Sequence, residues 1–188
     1  MFLEGSDGFM ERLDDAILFA TKAHDGQRRK TDDVAMIFHP FTVGMLLRNC
    51  DMSEDCVIAG ILHDVVEDTP FSLNYIRERF GERVAEIVDE VTEDKSLPWE
   101  DRKREAIKKV ETASFEGKMV ECADKINNLE TLYELYEKQG NDVWKAFNRP
   151  YEKQKWYYTE MYNAILKNSE DNKFYQRYKR ILDKLFAD

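Results

Sequence analysis

Gly60-Ile61-Leu62-His63-Asp64-Val65-Val66-Glu67-Asp68-Thr69 is the stretch on which the reading of this chain turns. Side chains three and four positions apart share a helix face, so on one continuous helix His63 lies over Glu67, and Asp64 lies over both Glu67 and Asp68. Ile61, Leu62, Val65 and Val66 then point elsewhere, and one face carries an imidazole and three carboxylates. Neighbouring carboxylates resist ionisation unless a cation or a partner base is present. The grouping therefore points to a bound metal, against the plainer reading of an acidic turn before Thr69-Pro70 with His63 as a core imidazole.

Working outward, helical periodicity covers nearly the whole chain. Phe9, Leu13, Ile17 and Ala20 predict a first helix from about Asp7 to Ala23. Arg28-Arg29-Lys30 and a turn at Thr31-Asp32-Asp33 follow. Pro40 suits a first helical turn, which puts His39 at the entrance of a helix reaching about Asn49. Ser53 caps the helix that carries the acidic motif, and Pro70 ends it. Ser72 to Phe80, closed by Gly81, and Val84 to Thr92 are the next two, with a loop over Glu93-Asp94-Lys95-Ser96-Leu97-Pro98. Helices are then expected at Trp99 to about Thr112, Lys118 to Gln139, Tyr151 to Leu166 and Asn172 to Phe186. No strand alternation interrupts them, so the expected fold is all-α, a multi-helix bundle. With 188 residues, 43% of them hydrophobic, the chain reads as one domain over 1–188, its motif-bearing core over about 7–139 and its C-terminal helices over about 140–188.

Composition removes several function classes. A net charge of −10 disfavours a nucleic-acid binder, which needs a basic footprint. No apolar run approaches the ~20 residues of a membrane span, and the first residues lack the pattern of a secretion signal, so a cytoplasmic location is expected. Three cysteines, at 50, 56 and 122, suit neither a disulfide framework nor a zinc cluster. The aromatic C-terminal helices permit a homodimer without requiring one.

Two further positions join the central motif. His39 stands at a helix entrance, and Asp124 interrupts an otherwise apolar stretch, where a buried acid must be paired or bind a metal. Two imidazoles and two carboxylates suit a first-row divalent ion such as manganese, iron or zinc better than calcium.

The ordered set His39, His63-Asp64 and Asp124 resembles the HD superfamily of metal-dependent phosphohydrolases. The extended run His63-Asp64-Val65-Val66-Glu67-Asp68 is similar to its alarmone-hydrolase branch, the Rel/SpoT hydrolase domains and stand-alone small alarmone hydrolases. Further matches are Ala23-His24-Asp25-Gly26-Gln27-Arg28-Arg29-Lys30, His39-Pro40, Phe80-Gly81, Val91-Thr92-Glu93-Asp94-Lys95 and Ala123-Asp124-Lys125-Ile126-Asn127-Asn128-Leu129.

The resemblance implies that His39, His63, Asp64 and Asp124 hold a single Mn²⁺, and that Glu67 and Asp68 are the pair that orients and deprotonates a water. Arg29 and Lys30, with Arg28 assisting, correspond to phosphate contacts, and Lys125 and Asn128 to positions lining a nucleotide site. The implied reaction is removal of the 3′-diphosphate from guanosine tetra- or pentaphosphate, giving GDP or GTP and pyrophosphate. The alternatives are another phosphorylated nucleotide such as NADPH, or a catalytically silent alarmone sensor. His24 falls outside the ligand pattern and reads as structural. Two features depart from the branch: Ala35-Met36-Ile37 stands where a Pro-Tyr-Ile run is common, and Tyr151, Tyr157 and Tyr158 compete as the C-terminal site tyrosine.

Overall fold

A computed structural model describes residues 11–29 and 32–187. Among the described residues ten α-helices follow one another: α1 (Arg12–Ala23), α2 (Phe38–Arg48), α3 (Glu54–Leu62), α4 (Val65–Asp68), α5 (Leu73–Phe80), α6 (Glu82–Val91), α7 (Trp99–Glu111), α8 (Phe115–Gln139), α9 (Tyr151–Leu166) and α10 (Lys173–Leu185). Their starts follow local chemistry. The side chains of Ser53, Ser72, Ser114 and Asn172 each accept a backbone N–H from the first turn they precede. Among the described residues the only extended pairing is an isolated bridge between Arg28 and Ala35, which closes the loop entering α2.

Two helices form the centre. In α3 every residue from Cys56 to Leu62 is buried, and in α8 every residue from Gly117 to Asn127. The second run includes Lys118, Glu121, Asp124, Lys125 and Asn127, so polar groups pass through the core and must find partners there. α2 and α3 pack as a hairpin at very short range. A Cβ placed on Gly60 would sit 2.4 Å from Leu47 Cδ1 and 3.7 Å from the Cα of Gly44, and one on Gly44 would sit 2.5 Å from Ile61 Cγ1. This glycine contact lets the backbones meet and sets the start of α2 beside the end of α3, the two places that carry His39 and His63. Gly60→Ala is expected to cost about 1–3 kcal/mol through overpacking, read as a lowered midpoint in thermal or denaturant unfolding.

The structure departs from the periodicity in three places. The acidic motif does not lie on one helix: α3 stops at Leu62, His63 and Asp64 form a turn, and α4 restarts at Val65. The His63 ring takes the Gly60 carbonyl, which in an unbroken helix belongs to the Asp64 N–H. The helix expected from Lys118 begins three residues earlier, because Ser114 caps it and Gly117 fits the first turn tightly against Glu90. Gly140–Ala146, where no helix is expected from the sequence, forms a 3-10 helix. The first helix is described only from Arg12, and the expected start near Asp7 lies outside the described residues.

Candidate metal and phosphate site

His39, in the first turn of α2, and His63, just past α3, are both buried, with ring centroids 5.2 Å apart. His39 Nδ1 lies 2.6 Å from Asn127 Oδ1, and His63 Nδ1 lies 2.7 Å from the Gly60 carbonyl. With both acceptors oxygens, each ring carries its proton on Nδ1 and turns the lone pair of Nε2 inward, the tautomer a metal ligand needs. His39 Nε2 is 3.0 Å from Asp124 Oδ1 and 3.6 Å from Asp64 Oδ2. His63 Nε2 is 3.4 Å from Asp64 Oδ1 and 4.0 Å from Asp124 Oδ1. The donor atoms of His39, His63 and Asp124 all lie within 4.8 Å of one another.

This arrangement fits a divalent ion. His63 Nε2 is buried without a hydrogen-bond partner, and a lone pair aimed at two carboxylates is satisfied by a cation between them. Burial alone pushes the His39 imidazole toward neutrality, yet Asp124 and Asp64 outweigh it and raise its pKa: the carboxylates draw positive charge to this point. Burial also works against the charge on Asp124, but Lys125 and the two imidazoles hold its carboxyl well below the usual range. Lys125 Nζ is 2.5 Å from Asp124 Oδ2 and 2.9 Å from Glu121 Oε1, one ammonium between two buried carboxylates. Asn128 donates its amide to Asp124 Oδ1.

Glu67 and Asp68, on the single turn of α4, stand beside this group. Glu67 Oε1 accepts the backbone N–H of Glu93 at 2.7 Å, and Asp68 pairs with the ammonium of Lys95, which is also 3.5 Å from Glu67 Oε2. Burial pushes Glu67 up to about 7, against the pull of the Glu93 N–H. A carboxyl poised there can take and return a proton near neutral pH.

These groups line a cleft of about 610 Å³. Its wall includes the cations Arg28, Arg29, Lys95, Arg102, Lys103 and Lys125 and the acids Asp64, Glu67, Asp68, Glu93, Glu121 and Asp124. In a chain of net charge −10 this local gathering of cations is what a polyanion would meet. Arg29 is the best placed of them. It is buried, Nη1 has no hydrogen-bond partner, and Nη2 is 3.4 Å from Asn128 Oδ1.

Of the residues singled out from sequence, the fold brings together His39, His63, Asp64, Asp124, Glu67, Asp68, Arg29, Lys125 and Asn128. Arg28 reaches the cleft only at its edge, with its guanidinium turned to Asp33 at 2.7 Å. Lys30 lies outside the described residues. His24 is buried with Nδ1 2.8 Å from Gln27 Oε1, a structural contact. Among the described residues no tyrosine lines the cleft. Tyr151 packs on Trp144 and Phe186, and the Tyr158 carbonyl serves Tyr178. Tyr157 instead supports the wall: its hydroxyl is 3.3 Å from Glu93 Oε1, and Lys103 Nζ lies 4.3 Å from its ring centroid. Met36, from the departing Ala35-Met36-Ile37 run, lines the cleft.

Sequence reasoning gave no role to Glu93, Arg102, Lys103 and Asn127. Glu93 is the hub, with Lys103 Nζ at 2.7 Å from Oε1 and Arg102 Nε at 3.1 Å from Oε2. Arg102 and Lys103 read only as surface charges on a helix charged on most faces, and no local pattern marks them otherwise.

Comparison with known proteins identifies the family. A family model described as the HD domain matches residues 16–150. A guanosine-3′,5′-bis(diphosphate) 3′-pyrophosphohydrolase of Aquifex aeolicus is 33% identical over 138 residues, which cover 72% of this chain and 20% of that protein, so the likeness is to one part of a longer chain. Mouse MESH1, a protein of the same designation, is 39% identical over 124 residues, covering 64% of this chain and 69% of its own. A solved structure described as a metazoan ortholog of SpoT that hydrolyzes ppGpp superposes with a TM-score of 0.78 at 26% identity, over 95% of this chain and 98% of the other. The matched segment begins inside α1, ends at the start of α9 and takes in every side chain gathered around His39 and His63, which places the chain in the HD-domain family.

Proposed function

We propose that this protein is a metal-dependent hydrolase of guanosine 3′,5′-bis(diphosphate) and its pentaphosphate, giving GDP or GTP and pyrophosphate, with Mn²⁺ as the working ion. The observation that carries the reading is the pair of inward-facing Nε2 lone pairs beside Asp124, at the floor of a cleft whose wall presents Arg29 and whose rim holds Glu67 and Asp68. His39, His63, Asp64 and Asp124 are the proposed ligands. A divalent ion held there supplies Lewis-acid charge to a phosphoryl oxygen and makes water more acidic.

The remaining steps belong to the protein. Arg29 meets the diphosphate with Nη1, which makes no hydrogen bond and has Asp32 Oδ2 at 3.7 Å, in the forked geometry that suits phosphate. Asn128, between Arg29 and Asp124, ties the phosphate end of the cleft to the ligand end. Glu67, held by the Glu93 N–H, takes the proton of the attacking water, and Asp68 orients that water. Lys125 keeps Asp124 ionised. Among the described residues no helix is long and apolar enough to cross a membrane, which suits work on a nucleotide pool in the cytoplasm.

The test is release of pyrophosphate from guanosine tetraphosphate by metal-stripped protein resupplied with Mn²⁺, with NADPH in a parallel arm. Metal-dependent appearance of GDP and pyrophosphate supports the reading. Phosphate from NADPH alone moves the substrate, and binding of guanosine tetraphosphate without turnover replaces an enzyme with a sensor. Asn127→Ala, which removes the acceptor of His39 Nδ1, is expected to weaken Mn²⁺ binding about 10- to 100-fold in a calorimetric titration while the helical circular dichroism is unchanged.

A further inference from the structure

The turn between α6 and α7 reaches into the cleft at two points, and both fall on the carboxylates of α4. The Glu93 N–H holds one oxygen of Glu67, while Lys95 pairs with Asp68 and stands 3.5 Å from the other oxygen of Glu67. The base of this turn is fixed, because the Glu93 side chain is gripped by Arg102, Lys103 and the Tyr157 hydroxyl. Lys95 itself is 41% exposed and lies on the cleft wall.

We propose that Lys95 is a positioning residue for the reaction: from this turn its ammonium fixes the direction of the Asp68 and Glu67 carboxylates, and it acts on turnover through them rather than by holding substrate phosphate. Two observations favour this role over a phosphate contact such as that of Arg29. Lys95 is in direct contact with Asp68 and has Glu67 at 3.5 Å, whereas Arg29 Nη1 makes no hydrogen bond and has a single carboxylate, that of Asp32, at 3.7 Å. α4 is a single turn of four residues with no side-chain cap, too short to orient its own carboxylates, so an outside group has to do so. A charge-assisted contact to each carboxylate supplies that restraint.

The inference rests on the proposed hydrolase activity, and steady-state kinetics on guanosine tetraphosphate with Mn²⁺ test it for wild type, Lys95→Met and Lys95→Arg. The expected result is a kcat lowered about 10- to 100-fold in Lys95→Met with KM changed less than about threefold, and recovery of most of kcat in Lys95→Arg, which keeps the charge. Mn²⁺ affinity and thermal midpoint, measured on the same samples, should match wild type, since Lys95 touches no proposed ligand. A KM raised about tenfold with kcat intact would make Lys95 a phosphate clamp and overturn the inference, as would unchanged kinetics or a kcat loss that tracks lost Mn²⁺ binding. No turnover by wild type would remove the hydrolase reading and this inference with it, whereas wild-type turnover with an indifferent Lys95→Met removes only the inference.

Discussion

His63→Ala is expected to abolish turnover of guanosine tetraphosphate, by at least about 10³-fold, and to reduce Mn²⁺ binding in a calorimetric titration to the level of nonspecific sites. Loss of a contact that merely supports a ligand costs 10- to 100-fold in metal affinity or activity, and loss of the ligand itself costs more. The geometry makes His63 the sharper choice over His39. Its Nε2 is the buried atom without a hydrogen-bond partner, so nothing else in the described structure uses that lone pair. Its Nδ1 also occupies the Gly60 carbonyl at the point where α3 ends. Alanine there frees the carbonyl for the Asp64 N–H and favours one continuous helix through Val65, which would turn Asp64 and Glu67 away from their present directions. His63→Asn keeps a side chain of moderate size with a polar end and still lacks the imidazole lone pair, so equal inactivity of the two variants assigns the loss to coordination. Recovery of turnover in His63→Asn would show instead that the turn, and not the nitrogen, is what the reaction needs.

Glu67→Gln is expected to leave metal binding intact and to lower kcat about 10²- to 10⁴-fold, the range removed with a general base. Glutamine can still accept the Glu93 N–H through its amide oxygen, so the α4 contact survives and the loss reports proton transfer. A pH profile adds a second signature. Glu67 must be ionised to take a proton, and burial raises its pKa to about 7, with Asp64 and Glu93 adding to the rise and the Glu93 N–H and Lys95 opposing it. Turnover in wild type therefore falls as pH drops through that pKa. A bound divalent ion favours the carboxylate, so the acidic limb of the loaded enzyme lies at or below about 7. The residual activity of Glu67→Gln should lack this limb. A limb that persists there belongs to another group, and Asp68 would be the first to examine.

Much of this centre was legible in the sequence, and the reason is physical. A histidine in a helix entrance, a His-Asp pair beside two further acids and an acid within an apolar run are each costly placements, and costly placements stand out against regular periodicity. His39, His63, Asp64 and Asp124 carried that signal, and Ser53 and Ser72 marked helix starts as readily. The helix break at His63 was hidden, because α3 and α4 keep helical dihedrals through the turn and only the side-chain bond to Gly60 interrupts the ladder. The wall formed by Glu93, Arg102, Lys103 and Tyr157 was hidden for a different reason. It exists only when α7 and α9 pack together, and each of its members reads locally as an ordinary surface charge or core aromatic. Asn127 was quoted within a motif, but nothing in its position showed that it faces an imidazole 88 residues away.

The contact between Gly44 and Gly60 has a consequence for ion selection. Most coordination spheres adapt by turning side chains, so their bite follows the ion. Here the two imidazoles hang from backbones already in touch, and both rings are pinned at Nδ1, one of them to the backbone itself. The gap between the nitrogens is therefore set by the α2–α3 contact together with the Asn127 side chain of α8, and widening it means moving α2 from α3 or His39 from Asn127. Such a site gauges ionic radius with little give: ions that need a longer span must strain the hairpin, and the strain would surface as a lower unfolding midpoint with the misfit ion than with the fitting one at equal occupancy.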